Sequence, residues 1–214
     1  MKGPSSNKEN TLLPAMTKEQ LTTLFNKGLE HVKQSFGILT DREVNVRHEI
    51  TVESGMSARL PGIDDAAPQH LFVSEIKGNL PGSSYLVLPQ DQMHALLPEG
   101  VMTEKDETPA IEFLMELDNI LTASVITVLA NELDIFSYGA PPRHYKVAGR
   151  SVRSWIEQAI YEQKQVFPGR HKVTVSLSLE SAGEPSFSIL FVWSLFGNFV
   201  STSIDANVHA HLHS

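Results

Sequence analysis

The chain has 214 residues, of which 41% are hydrophobic and 20% are charged, so it can build a sizeable core. Its formal net charge of -8 argues against nucleic acids and anionic membrane surfaces as partners, because both attract basic proteins. The absence of cysteine excludes disulfides, thiolate metal sites and cysteine nucleophiles, and it fits a reducing, cytoplasmic compartment.

The two ends of the chain differ in composition from the region between them. Residues 1–15 are mostly small and polar, so we expect a flexible leader and no signal peptide. The most apolar run, residues 187–200, is shorter than the roughly 20 residues of a membrane span and predicts a buried strand. We therefore expect one domain over residues 16–200, followed by a C-terminal tail at 201–214.

The first half predicts a long helix and then strands. Thr17 and Gln20 have the spacing of a capping box, and apolar residues recur at helical spacing to about Phe36, where Gly37 should end the helix. Alternating apolar residues predict strands over 44–52, 71–76 and 85–88, and a short helix is expected over 89–97.

The second half repeats the order of helix and strands. Thr108 is predicted to cap a long helix that starts at Pro109 and ends near Leu133. A further helix is predicted over 150–163, and strands over 173–179 and 187–196. These elements predict an α+β fold in which two long helices pack on a mixed or antiparallel sheet.

The two long helices carry polar residues at the same spacing of i, i+4 and i+7. The positions are Glu19, Thr23 and Asn26 in the first helix, and Glu112, Glu116 and Asn119 in the second. We therefore predict an internal duplication, with pseudo-repeats at about 16–100 and 107–200. Because threonine replaces glutamate at the middle position of the first helix, we expect the second helix to carry the functional face.

Glu112, Glu116 and Asn119 should lie on one stripe of an otherwise apolar helix. At about 100° per residue, they fall within roughly 60° of one another. Polar groups on such a helix need hydrogen-bond partners in the core or a partner molecule outside it. The stripe is therefore either a buried, hydrogen-bonded structural feature or a functional face.

With Pro142, the stripe resembles the motif of the CheC/CheX/FliY family of chemotaxis phosphatases. That motif has an aspartate or serine, a glutamate four positions later, an asparagine three after that, and a proline 23 further on. Glu116, Asn119 and Pro142 match it, since 142 minus 119 is 23, and Glu112 stands at the first position. The resemblance implies a CheC-like domain of two similar halves, in agreement with the predicted duplication.

The resemblance implies dephosphorylation of a CheY-like response regulator in chemotaxis or two-component signalling. Such a regulator carries a phosphoryl group on an aspartate beside Mg²⁺, so the phosphatase would need no metal or cofactor of its own. A carboxamide offers both a donor and an acceptor to an attacking water, which makes Asn119 the candidate for that role. In the family the glutamate pairs with a lysine of the regulator, a role that falls to Glu116.

Three residues depart from the family pattern. Glu112 replaces an aspartate or serine, Asp118 stands where a glycine commonly precedes the asparagine, and Leu121 replaces a small residue. We expect Glu112 and Asp118 to add negative charge near a face that approaches a phosphoryl group. A second function therefore stays open, that of a non-catalytic module that binds a response regulator or a flagellar-switch component.

A basic cluster follows the motif proline. It consists of Arg143, Lys146, Arg150 and Arg153. The cluster could meet the acidic pocket of a regulator, so Arg143 joins Glu112 and Pro142 as a candidate for partner binding. The alternative is a solvated helix face without a function.

Histidines at the C-terminus alternate as His209, His211 and His213. Such spacing could hold a transition metal, but a solvated tail is the preferred interpretation, because the sequence fixes no fourth ligand. No metal site is predicted. The sequence does not decide between a monomer and a homodimer.

Overall fold

The computed structural model of the protein describes residues 16–40, 43–53, 68–97, 107–148, 151–166, 171–181 and 188–197. Its helices are α1 (Lys18–Thr40), α2 (Met93–Leu96), α3 (Thr108–Glu132) and α4 (Val152–Val166), with a 3-10 turn at Gln90–Gln92. Its strands are β1 (Val44–Glu53), β2 (Gln69–Gly78), β3 (Gly82–Pro89), β4 (Ser137–Gly139), β5 (Arg143–Val147), β6 (His171–Ser181) and β7 (Ser188–Gly197).

All of the described strands belong to a single antiparallel sheet. The strand order is β1-β6-β7-β3-β2-β4, and β5 also pairs with β2. Hairpins join β2 to β3 and β6 to β7, whereas β3 and β7 pair at the centre although they are far apart in sequence. The predicted α+β fold is therefore confirmed, and its sheet is antiparallel.

Helices cover both faces of the sheet. Side chains alternate between the two faces along each strand, so Phe72 and Trp193 join the core beneath α1 and α3. Tyr85 and Val192 point the other way and pack with Ile156 of α4. The result is three layers, in which the two long helices share one face.

The two long helices are in close contact with each other. A Cβ atom added to Gly28 of α1 would lie 3.2 Å from the Cα atom of Val125 of α3, so the backbones nearly touch. An ion pair between Lys27 and Glu132, at 2.8 Å, joins the same helices at their surface.

The start of α1 agrees with the sequence prediction and its end does not. The capping box forms, since the Gln20 amide donates to the Thr17 hydroxyl at 3.3 Å and the Thr17 amide donates to the Gln20 side chain at 2.9 Å. Gly37 does not end the helix, because its φ is not positive and the helix continues to Thr40. The Thr40 hydroxyl donates to the Phe36 carbonyl oxygen at 2.8 Å within that last turn.

The predicted start of α3 is one residue too late. Glu107 is the N-cap, without a side-chain cap hydrogen bond, and Thr108 is already helical. Pro109 still fits, because its missing N–H falls in the first turn, where backbone N–H groups have no partner within the helix. The predicted strands and the helices over 89–97 and 150–163 are confirmed, whereas β4 and β5 were not predicted.

By length and composition alone, α3 could cross a membrane, and it is the one helix of the described residues that meets this test. In the fold it is a core helix, with Leu114, Leu121 and Val125 fully buried. Its apolar composition is explained by contact with α1 on one side and the sheet on another.

Candidate functional site

The polar stripe of α3 is on the surface. Glu112, Glu116 and Asn119 are all exposed, while Leu117 and Leu121 on the opposite side of the helix are buried. Glu116 and Asn119 are therefore exposed together on one helix. The alternative, a buried and hydrogen-bonded stripe, is excluded for these residues.

The stripe continues toward the C-terminus of α3 with small side chains. Ala123 and Thr127 are exposed and extend the line of Glu116 and Asn119 by two further turns. Small side chains leave the surface beside the Asn119 amide low. A partner can therefore approach that amide without meeting a bulky residue on this side.

Asp118 does not add charge to the exposed face, contrary to the sequence-based expectation, and Leu121 is buried as well. Both side chains are 0% exposed. Asp118 lies about 120° from Glu112 around the helix, on the same side as Leu114 and Val125. Helical periodicity alone therefore predicts that Asp118 is buried. Of the three departures from the family pattern, only Glu112 adds charge to the surface.

Asp118 instead anchors α3 to the sheet. The Ser74 hydroxyl of β2 donates a hydrogen bond to Asp118 Oδ2 at 2.6 Å, while Asp118 Oδ1 is buried without a hydrogen-bond partner. Burial raises the pKa of Asp118 to about 7, although the hydrogen bond from Ser74 acts in the opposite direction. A carboxyl that ionises near neutral pH thus lies one residue before Asn119.

Pro142 occupies a break in the edge of the sheet. Between the pairs that β4 and β5 make with β2, three residues, 140–142, lie opposite Ser74 and Glu75. The extra residue makes a β-bulge, and Pro142, which is buried, suits it because it has no N–H to donate. The Ala140 amide donates to the Glu75 carbonyl oxygen at 2.7 Å. The motif proline is thus opposite the strand segment that anchors Asp118.

The predicted basic cluster is divided between the two faces of the sheet. Arg143 is exposed on β5 opposite Val73, whose side chain packs with α4, so the register puts Arg143 on the α4 face. Lys146 is an odd number of residues away on the same strand, so its side chain lies on the opposite face of the sheet. Arg153 belongs to α4, and Arg150 lies outside the described residues. The interpretation of the cluster as one helix face is therefore wrong, and Arg143 is not on the face that carries α3.

A histidine pair that no sequence pattern indicated lies beneath the N-terminal end of α3. His70 Nδ1 of β2 and His144 Nε2 of β5 are 2.9 Å apart. Burial, with a smaller contribution from His144, lowers the pKa of His70 to about 4, and burial also lowers the pKa of His144. Lys146 Nζ pairs with the Glu107 carboxylate at 3.2 Å beside them. These groups fix β5 to the start of α3.

Within the described residues, no group of three or more histidine, aspartate or glutamate side chains could hold a metal ion. His209, His211 and His213 lie outside those residues.

Two solved structures of chemotaxis proteins have a similar fold. FliY of Thermotoga maritima aligns with a TM-score of 0.55 at 16% sequence identity, over 82% of this chain and 88% of FliY. A protein assigned to chemotaxis from Desulfovibrio vulgaris Hildenborough aligns with a TM-score of 0.51 at 11% identity, over 80% of this chain and 96% of its own. No protein-family model matches the sequence, and no curated protein matches it. The chain thus has the FliY-like fold that the motif led us to expect.

Proposed function

We propose that this protein is a divergent member of the CheC/CheX/FliY family and dephosphorylates a CheY-like response regulator. The observation that carries the proposal is the joint exposure of Glu116 and Asn119 on α3, at the motif spacing, in a chain with a FliY-like fold. A cytoplasmic location is part of the proposal, since response regulators act in the cytoplasm.

The proposed reaction transfers the phosphoryl group of an aspartyl phosphate to water. The water oxygen forms a bond to phosphorus, the bond from phosphorus to the aspartate oxygen breaks, and inorganic phosphate and a free carboxylate remain. Asn119 would hold the water in line, because its carboxamide can accept a hydrogen bond from the water and donate one to the phosphoryl group. Mg²⁺ bound to the regulator would neutralise the developing charge.

Glu116 would bind the regulator. Its carboxylate is exposed one helical turn before Asn119, where it can pair with a lysine at the edge of the regulator's phosphorylation site. Glu112, one turn earlier on the same stripe, would extend this acidic surface. Pro142 would have only an indirect role, because it lies in the bulge opposite Ser74. Arg143 would contact the regulator only if the regulator extended around β5 to the α4 face of the sheet.

The test is phosphate release from a purified, phosphorylated CheY-like regulator with and without this protein. Saturable acceleration is the expected result. Saturable binding to a beryllofluoride-activated regulator without acceleration would instead assign the protein as a non-catalytic binding module. The absence of both across a panel of regulators would overturn the proposal.

A further inference from the structure

Asp118 is a buried carboxyl that the proposed reaction does not use. It is fully buried, it follows Leu117 and precedes Asn119, and its side chain points to the sheet while that of Asn119 points to solvent. A buried carboxyl in a helix is costly, so its presence beside the proposed catalytic amide calls for a physical reason.

A second hydrogen bond connects α3 to the sheet beside the one from Ser74 to Asp118. One helical turn later, the Thr122 hydroxyl donates to the Ser84 hydroxyl of β3 at 2.9 Å. Ser74 and Ser84 are register partners on neighbouring strands. Two adjacent hydrogen bonds to adjacent strands fix both the rotation of α3 and its position along the sheet. The direction in which Asn119 points depends on that rotation.

We propose that Asp118 is a positioning residue whose hydrogen bond with Ser74 sets the orientation of the Asn119 amide, and that ionisation of Asp118 alters this orientation. The catalytic relevance of that positioning depends on the proposed phosphatase function. The positioning itself is a property of the free protein.

The surroundings of Asp118 explain why its ionisation should be felt by α3. A neutral carboxyl is compatible with an apolar core, whereas an ionised one draws water or donors toward its unpartnered Oδ1 atom. Burial, which raises its pKa to about 7, is the dominant influence, and the Ser74 hydrogen bond opposes it. The ionisation therefore falls near neutral pH.

No charged side chain of the described residues contributes to that pKa. On β2 and β5, the described titratable groups that share this sheet face are His70, His144 and Lys146. On α3 itself Glu112 and Glu116 point away into solvent. If the resonances of Asn119 change with a midpoint near pH 7, substitution of Asp118 therefore shows whether Asp118 is the group that ionises.

The first experiment follows the side-chain amide resonances of Asn119 by NMR between pH 5.5 and 8.5, roughly one and a half units either side of the ionisation. The Asn119→Ala spectrum identifies them. We expect them to titrate with a midpoint near that of Asp118 in the wild type, and to be flat in Asp118→Asn, which keeps the shape and an acceptor but cannot ionise. In Ser74→Ala the midpoint should rise, because the hydrogen bond that this variant lacks favours the ionised form of Asp118.

Two results would overturn the positioning role, namely Asn119 resonances that are independent of pH in the wild type, or the same titration in Asp118→Asn. If Asp118→Asn does not fold, the titration midpoint of the Asn119 resonances in Ser74→Ala is the deciding measurement. A midpoint equal to that of the wild type would then contradict the positioning role of Asp118.

The second experiment compares phosphate release by the wild type and Asp118→Asn over the same pH range. The ratio of the two rates cancels the pH dependence of the regulator itself, and we expect it to change around neutral pH. A constant ratio would overturn the catalytic relevance of the positioning. No acceleration by either protein at any pH would refute the proposed function, while an NMR titration that depends on Asp118 would stand.

Discussion

The Thr23 hydroxyl donates a hydrogen bond to the Glu19 carbonyl oxygen, one helical turn earlier on α1, at 3.0 Å. The corresponding residue on α3 is Glu116, whose carboxylate is exposed. A threonine hydroxyl bound to its own backbone cannot form an ion pair with a lysine, whereas a glutamate can. This difference is the physical reason for assigning the functional face to α3 although α1 carries the same spacing of polar residues.

Substitution of Glu116 should weaken regulator binding. We expect Glu116→Gln to lower the affinity for a beryllofluoride-activated regulator by about tenfold or more, with a weaker dependence of affinity on salt, because a charge pair is lost. Thr23→Ala, the matched change on α1, should leave both quantities unchanged. Titration calorimetry at two salt concentrations measures them, and equal losses in the two variants would contradict the assignment.

Gly28 should be required for the packing of α1 on α3. Because the added Cβ atom would meet the Val125 backbone at 3.2 Å, Gly28→Ala should lower the free energy of unfolding by about 1–3 kcal/mol. Lys27→Ala, the adjacent surface change, removes only an exposed ion pair and should cost no more than about 1 kcal/mol. Urea denaturation of both variants tests this. An unchanged midpoint for Gly28→Ala would show that α1 and α3 accommodate the added methyl group without loss of stability.

Ionisation of Asp118 should destabilise the fold as the pH rises. Its pKa of about 7 in the folded state exceeds the ordinary value of 3.8, so the folded protein holds the proton more tightly than the unfolded chain. This contribution is complete below about pH 4 and is lost between pH 4 and 7, by at most about 1.4 kcal/mol per pH unit. Relative to wild type, Asp118→Asn should therefore gain stability as the pH rises through that range. A difference that stays constant in urea denaturation from pH 4 to 8 would contradict the burial of an ionisable carboxyl.

His70 should act in the opposite sense. Its pKa of about 4 in the folded state is below the ordinary value of 6.5, so the unfolded chain takes up the proton first and stability falls as the pH drops from 6.5 toward 4. His70→Gln should be less stable than wild type at pH 7, and that deficit should shrink on acidification. A deficit for His70→Gln that is the same at pH 7 and pH 4.5 would contradict this account.

The sequence was sufficient for the long elements and for the shared side of Glu112, Glu116 and Asn119 on α3, whereas their exposure was decided by the structure. Periodicity over many residues fixed which side of α3 carries Glu116 and Asn119, and the capping box fixed the start of α1. Gly37 was misleading because glycine ends a helix only where the backbone turns to positive φ, which tertiary contacts decide. The strands β4 and β5, with three and five residues, are too short for a periodic signal.

The errors at the site came from judging residues by type instead of by position. Asp118 was treated as surface charge although its angle on the helix placed it with the buried leucines. Its partner Ser74 is 44 residues away in sequence, and only the sheet register brings the two together. The histidine pair is likewise a product of pairing between distant strands, which no local pattern reports.

The rate of phosphate loss from a phosphorylated CheY-like regulator, measured with the wild type, Asn119→Ala and Asn26→Ala, tests the central claim most directly. Both asparagines are exposed at equivalent positions of the two long helices, so each variant serves as a control for the surface effect of the other. We predict that Asn119→Ala loses most of the acceleration, on the order of 100-fold, without loss of regulator binding, and that Asn26→Ala keeps it. An active Asn119→Ala protein, or an inactive Asn26→Ala protein, would contradict the claim that α3 carries the catalytic amide.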